Sequence, residues 1–184
     1  MSLPPNQPMP DVPAGATRAR PAGGAPLLTR PAANLRMQAL LARVTAPDGG
    51  IDTGADPEVT EQLGAQLAEL VRPAAPSVVV SWDDVDDVVL AHVVARELGV
   101  LARRAALDMG TLGIDGLPTA SGVVAVVATS YRPWRRPLAP VAVLLRQRGA
   151  SEVIAAQLMP DPAAEIPADD AADITSLLTL VGSR

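Results

Sequence analysis

The chain has 184 residues, 48 % of them hydrophobic and 2 % aromatic, with a formal charge of −5, which suits one domain with a substantial core. It has no cysteine, one histidine and no lysine, so all 15 basic residues are arginine; disulfides, thiolate metal sites, cysteine nucleophiles and histidine-rich metal sites are excluded. The acidic balance argues against nucleic-acid binding, which needs a basic surface to displace counterions from phosphates, no apolar run approaches the ~18 residues of a membrane span, and MSLPPNQPMP lacks the basic and apolar regions of a secretory signal, so a cytoplasmic protein is expected.

From Met1 to about Ala33 the chain is rich in Pro, Gly, Ala and Arg without apolar periodicity, so a disordered arm is expected over residues 1–33. Its Arg18, Arg20 and Arg30 could touch an acidic partner, although a plain flexible tail accounts for them. Asn34 to Val44 reads as a helix with Leu35, Leu40, Leu41 and Val44 on one stripe, followed by a polar, glycine-containing loop or short strand from Thr45 to Ala55. At Asp56 the signals for a helix are strong: Asp as N-cap, Pro57 at the first position and Glu58 in the first turn. Val59, Leu63, Leu67 and Leu70 then share one face until Arg72-Pro73 ends it.

Ser77 to Ser81 is short and β-branched, a buried strand, with Trp82-Asp83-Asp84 at its carboxyl end. A helix over about Val85 to Leu98 ends at Gly99, and a weaker strand spans Val100 to Leu107. Asp108 to Ser121 is a glycine-rich excursion. Then come an apolar strand, Val123 to Ala128, a polar loop, Thr129 to Arg136, a helix opened by Pro137 and closed by Gly149, and a strand from Val153. Strands alternating with helices imply an α/β fold, a Rossmann-like parallel sheet flanked by helices with right-handed crossovers. The Val runs 78–80 and 123–127 are expected to be neighbouring central strands, buried on both faces. The domain spans residues 34–160; an acidic linker and an amphipathic helix with Ile174, Leu177, Leu178 and Val181 on one stripe are expected over residues 161–184.

Taken in order, these elements resemble a type I phosphoribosyltransferase, most closely its orotate branch. The resemblance runs from about Leu35 to Leu158 and is carried by APDGGIDTGADPEVTEQLGAQLAELV, by SVVVSWDDVDDVVLAHVVARELGV, and by GTLGIDGLPTASGVVAVVA leading into LLRQRGASEVIAA. It implies a site at the carboxyl ends of the strands and a homodimer. The family's defining motif is two adjacent acids after a strand, then a Thr- and Gly-rich loop at a helix N-terminus that grips phosphoribosyl pyrophosphate. Aligned on Gly149, the acids fall on Thr129 and Ser130 and the loop on Pro133-Trp134-Arg135-Arg136-Pro137. Hydroxyls supply no negative charge to a developing oxocarbenium ion. Prolines remove N–H donors, and Trp134 is bulky where glycine would let backbone approach a phosphate. The pyrophosphate loop is replaced by Trp82-Asp83-Asp84-Val85-Asp86-Asp87, whose four acids repel an anion.

The expectation is therefore a pseudoenzyme, a regulatory or assembly subunit or metabolite-binding module with a vestigial pocket of Trp82, Asp83, Asp84, Thr129, Ser130, Arg132, Trp134, Arg135 and Arg136. It has no catalytic residue, no metal and no cofactor. The alternative is a divergent phosphoribosyltransferase acting on a nucleobase or carboxylated heterocycle, with Arg132, Arg135 and Arg136 gripping phosphate and Asp83, Asp84, Asp86 and Asp87 holding Mg²⁺. A third reading is an interaction protein that docks through the arm or the terminal helix. Each group also has a plain structural reading. The aspartates suit a helix start, the arginines suit solvent or salt bridges to the acidic loop, and Trp82, Tyr131 and Trp134, which could stack on a base or cation, read first as packing over the sheet edge. His92, inside a helix, reads as a surface or satisfied half-buried residue rather than a catalytic one.

Overall fold

A computed structural model describes residues 30–114, 116, 117, 122–132, 135, 137–161 and 174–181, with the side chains of 30–33 left out. Helix α1 (Arg30–Val44) starts within the stretch expected as an arm; the rest of that arm lies outside the described residues. Helix α2 (Pro57–Val71) begins as its sequence dictates: the Asp56 carboxylate accepts the Val59 N–H at 3.2 Å and Pro57 stands in the first turn. Strand β1 (Val78–Trp82) leads into α3 (Val85–Leu98), which Gly99 ends in the left-handed conformation, φ +71°, that glycine adopts without a Cβ penalty. Strands β2 (Leu101–Asp108), β3 (Thr111–Ile114) and β4 (Val123–Ala128) follow, then α4 (Leu138–Gln147), β5 (Glu152–Gln157) and β6 (Ser176–Thr179).

The six strands form one sheet in the order β3-β2-β1-β4-β5-β6, parallel except for the β2–β3 hairpin. As expected, β1 and β4 are central neighbours and nearly every residue in them is buried. Side chains alternate across the pleat. Val79, Ala125, Val127, Ile154 and Ala156 face α1, α2 and α3, whereas Val78, Val80, Val124, Val126, Val153 and Ala155 face α4. The aliphatic core demanded by the composition is thus a two-sided valine–alanine sheet. Between α2 and α3 the approach is close enough that a Cβ on Gly64 would lie 2.4 Å from Val93 Cγ1.

Two expectations need correction. The glycine-rich excursion contains strand β3, joined to β2 by the two-residue turn Met109-Gly110, both at positive φ, the geometry that matches the twist of a tight hairpin. The terminal segment expected as a helix is the edge strand β6 where it is described, paired in parallel with β5 from Ser176 to Thr179. The stripe at Ile174, Leu177, Leu178 and Val181 fits a helix by spacing. The open edge of β5, however, offers unpaired backbone groups that a strand satisfies and a helix does not. Leu178 and Leu180 then share one face and pack on the α1–α3 side.

Candidate functional site

The carboxyl ends of β1, β4 and β5 open into a cavity of about 550 Å³. The turn over residues 46–52 forms one side, folded back by the Thr45–Ile51 bridge. The start of α3 supplies Asp84 and Asp86, the end of β4 supplies Thr129 and Ser130, and Arg132, Arg135, Met159 and Asp161 complete the wall. Of the expected pocket residues, Asp84, Thr129, Ser130, Arg132 and Arg135 do meet there. Trp134 and Arg136 lie outside the described residues. Trp82 and Asp83 face a separate, smaller groove beside β2, of about 290 Å³, which Asp84 and Arg135 also border. His92 is exposed on α3.

The four acids of the β1–α3 segment have four different fates. Asp83 pairs with Arg104 on β2 at 3.2 Å, and Asp84 pairs with Arg135 across the cavity mouth at 3.7 Å. Asp86 Oδ1 accepts both the N–H and the hydroxyl of Thr53, at 2.8 and 2.7 Å, tying the 45–55 loop to the start of α3. Asp87 is fully buried, and its Oδ1 accepts the Thr129 N–H at 2.8 Å and the Thr129 hydroxyl at 2.9 Å. Acids near a helix N-terminus are favoured by the macrodipole, but only Asp87 is turned into the protein. Among the described residues no three potential ligands converge on a metal-sized site.

The two described arginines of the loop after β4 are engaged as well. Arg132 pairs with Asp161, just beyond β5, at 3.2 Å. Tyr131 and Trp82, the two described aromatic residues of this region, are buried. Tyr131 is buried; its hydroxyl donates to the Val126 carbonyl at 2.8 Å, and its N–H donates to the Gln157 side chain at 3.0 Å. Gln157 in turn donates to Thr179 Oγ1 at 3.1 Å, coupling the loop after β4 to the edge strand. Burial pushes the Tyr131 phenol well above its ordinary range, and the nearby Asp87 charge adds to the effect. Trp82 is buried beside it in the layer facing α4. Both rings pack into that layer.

Sequence reading missed Asp48, Asp52, Met159 and Asp161 as cavity residues. Asp161 could have been found, because a residue shortly after a parallel strand lies at the same sheet end as those after its neighbours. Asp48 and Asp52 reach the cavity only because the 45–55 loop folds over the sheet end, which no local pattern reports.

An open, mostly parallel sheet with helices on both faces and a cavity at the strands' carboxyl ends is the doubly wound α/β architecture. Within that class, the chain has the type I phosphoribosyltransferase fold. Adenine phosphoribosyltransferase from Giardia lamblia, solved with 9-deazaadenine, matches with a TM-score of 0.64 over 83 % of this chain and 98 % of its own, at 13 % identity. A phosphoribosyltransferase from Corynebacterium diphtheriae matches with a TM-score of 0.62 over 81 % and 95 %, at 19 % identity. Orotate phosphoribosyltransferase from Mycobacterium tuberculosis matches with a TM-score of 0.55 over 81 % and 95 %, at 16 % identity. Adenine and orotate enzymes both superpose, so the fold does not separate these branches. No family model and no curated protein matches the sequence.

Proposed function

We propose that this chain is a phosphoribosyltransferase-fold protein without transferase chemistry, whose cavity binds a metabolite in a regulatory or assembly role. The observation that carries this reading is the bond from buried Asp87 to Thr129. At the position where the resemblance calls for the first of two acids, the backbone N–H and the side chain are both turned inward onto the protein's own carboxylate. A hydroxyl so held has its proton committed to Asp87 and supplies no negative charge to an oxocarbenium ion. The two described arginines are opposed by Asp84 and Asp161, so an incoming phosphate would have to displace a carboxylate from each. Each charge-assisted contact forgone is worth about 1.5–3 kcal/mol, and the loss of several lowers affinity by several orders of magnitude.

The test is calorimetric titration with phosphoribosyl pyrophosphate and Mg²⁺, alongside an assay for transfer to orotate. The expected result is neither micromolar binding nor turnover. Placing acids at both positions, Thr129→Asp with Ser130→Asp, does not restore activity, because the new carboxylate at 129 faces Asp87 in a buried setting. Micromolar binding of the donor would overturn the reading and put the divergent-transferase alternative, with its Mg²⁺, in first place. A homodimer remains part of this proposal, checked by sedimentation. Docking through a terminal helix is withdrawn, since Ser176–Thr179 is a strand.

A further inference from the structure

We propose that edge strand β6 is a releasable latch on the cavity wall. Its docking against β5 and the ordering of the loop after β4 are one linked equilibrium, so that a cavity ligand holds the strand in place and capture of the strand loosens the cavity. The coupling lies in how the wall is held and is the same whichever ligand the cavity takes. Thr129, Ser130, Arg132, Met159 and Asp161 line the cavity on this side, and the two segments that carry them are tied together three times. The Met159 N–H donates to the Thr129 carbonyl at 3.3 Å, the Tyr131 N–H donates to Gln157 Oε1 at 3.0 Å, and Arg132 pairs with Asp161 at 3.2 Å.

The opposite edge of the segment that begins at Gln157 is held by β6 and the residues just after it. The Leu180 N–H donates to the Gln157 carbonyl at 3.0 Å, the Val181 N–H to the Leu158 carbonyl at 2.9 Å, and Gln157 Nε2 to Thr179 Oγ1 at 3.1 Å. Gln157, only 2 % exposed, therefore uses both ends of one planar amide, the oxygen on the cavity loop and the nitrogen on the edge strand. Held at both ends, the amide has one orientation. Freed at the strand end it rotates, and the buried Tyr131 N–H loses its acceptor.

Strand β6 is suited to release. It is four residues long, none of them fully buried, and it pairs with β5 alone among the described strands. Its hold on the core comes from Leu178 and Leu180, half-buried on the α1–α3 side, and from Val181. The central strands β1 and β4, by contrast, pair on both edges and are almost wholly buried. Short edge elements that bury little open at a fraction of the free energy of global unfolding. Release of β6 thus precedes unfolding of the sheet, and the Gln157 amide carries it to the cavity loop. Linkage makes the effect reciprocal: the factor by which strand docking raises ligand affinity is the factor by which the ligand favours docking.

The experiment is amide hydrogen exchange followed by NMR on the full chain, under conditions where closing outruns exchange. No ligand enters it, so its outcome is independent of whether the cavity binds the donor. Thr179→Val keeps the side chain's shape and removes the acceptor; exchange of the Tyr131 N–H should rise about three- to tenfold, together with that of Leu180 and Val181. Leu178→Ala, which leaves Gln157 and Thr179 unchanged and weakens the strand's core contact, should raise all three by about tenfold or more. In a Gln157→Leu background, where the relay is already cut, Thr179→Val should leave Tyr131 exchange unchanged. Val93→Ala, which lowers global stability at the α2–α3 contact, should leave it unchanged as well. Faster exchange at Leu180 and Val181 with Tyr131 unmoved would overturn the proposal, as would a further rise in the Gln157→Leu background. An equal rise in Val93→Ala would also overturn it, because Tyr131 would then be exposed by global unfolding and not by release of the strand.

Discussion

The loops leaving β1 and β4 start on adjacent strands and carry opposite charge, one with four aspartates and the other with three arginines. Simple pairing across the gap would make them equivalent halves of a surface salt-bridge network. The structure divides them differently: among the described arginines one pair crosses, Asp84 with Arg135, Arg132 turns to Asp161, and Asp87 goes into the core to hold Thr129. Two residues three positions apart in one acidic run therefore do different physical work. Asp84 sits half-buried at the rim, where water competes for its charge, whereas Asp87 closes the loop after β4 from beneath.

Removing the buried partner gives the largest effect. Asp87→Ala removes the acceptor of both the Thr129 N–H and its hydroxyl in a buried setting, and stability should fall by about 2–4 kcal/mol, read as a shift of the urea midpoint. Asp87→Asn keeps an acceptor at the same place and should retain most of that stability. If the two variants were equally damaging, charge rather than hydrogen bonding would be what Asp87 supplies. If neither were damaging, the contrast between the inner and outer acids would fail.

The layer beneath this loop sharpens the same contrast through pH. Tyr131 is the only tyrosine and the chain has neither lysine nor cysteine, so it is the only side chain that ordinarily titrates between about pH 9 and 12. Burial raises its folded pKa. The unfolded chain begins to release this proton near pH 10 while the folded one holds it, so the stabilisation is complete below about pH 10 and is lost as pH rises above it, by up to about 1.4 kcal/mol per pH unit. Phenolate absorbance should therefore appear together with unfolding rather than before it. Tyr131→Phe should flatten the alkaline limb while costing about 1 kcal/mol for the bond to Val126. A phenol that titrated near pH 10 in the folded protein would contradict its burial.

Much of the fold was legible because it is written in local chemistry: valine runs for β1 and β4, Asp56-Pro57 at the start of α2, Gly99 at the end of α3. The site was legible only in part. Asp87 falls on the same helical stripe as Leu90, Ala91 and Val94, all buried, so the 3.6-residue period does identify it as the inward-facing acid; a run of four acids hides that by looking uniformly solvated. The segment around Leu177 and Leu178 misled because spacing alone cannot distinguish a four-residue edge strand from a helix turn. What decided it was the unpaired edge of β5, a tertiary fact. The cavity acids Asp48, Asp52 and Asp161 are separated by up to 113 positions in the numbering and are brought together only by the fold.

The smallest effect belongs to the rim. Arg135→Ala and Asp84→Asn each break the crossing pair, whose 3.7 Å separation and exposed guanidinium, 62 % accessible, place it among surface ion pairs. Such pairs contribute about 0–1 kcal/mol because water screens the charges and two side chains must be ordered to meet. Each variant should shift stability by no more than about 0.5 kcal/mol, and the double variant should cost little more than either alone, since each single change already breaks the pair. If either variant cost as much as Asp87→Ala, the distinction between a rim ion pair and a buried structural acid would not hold.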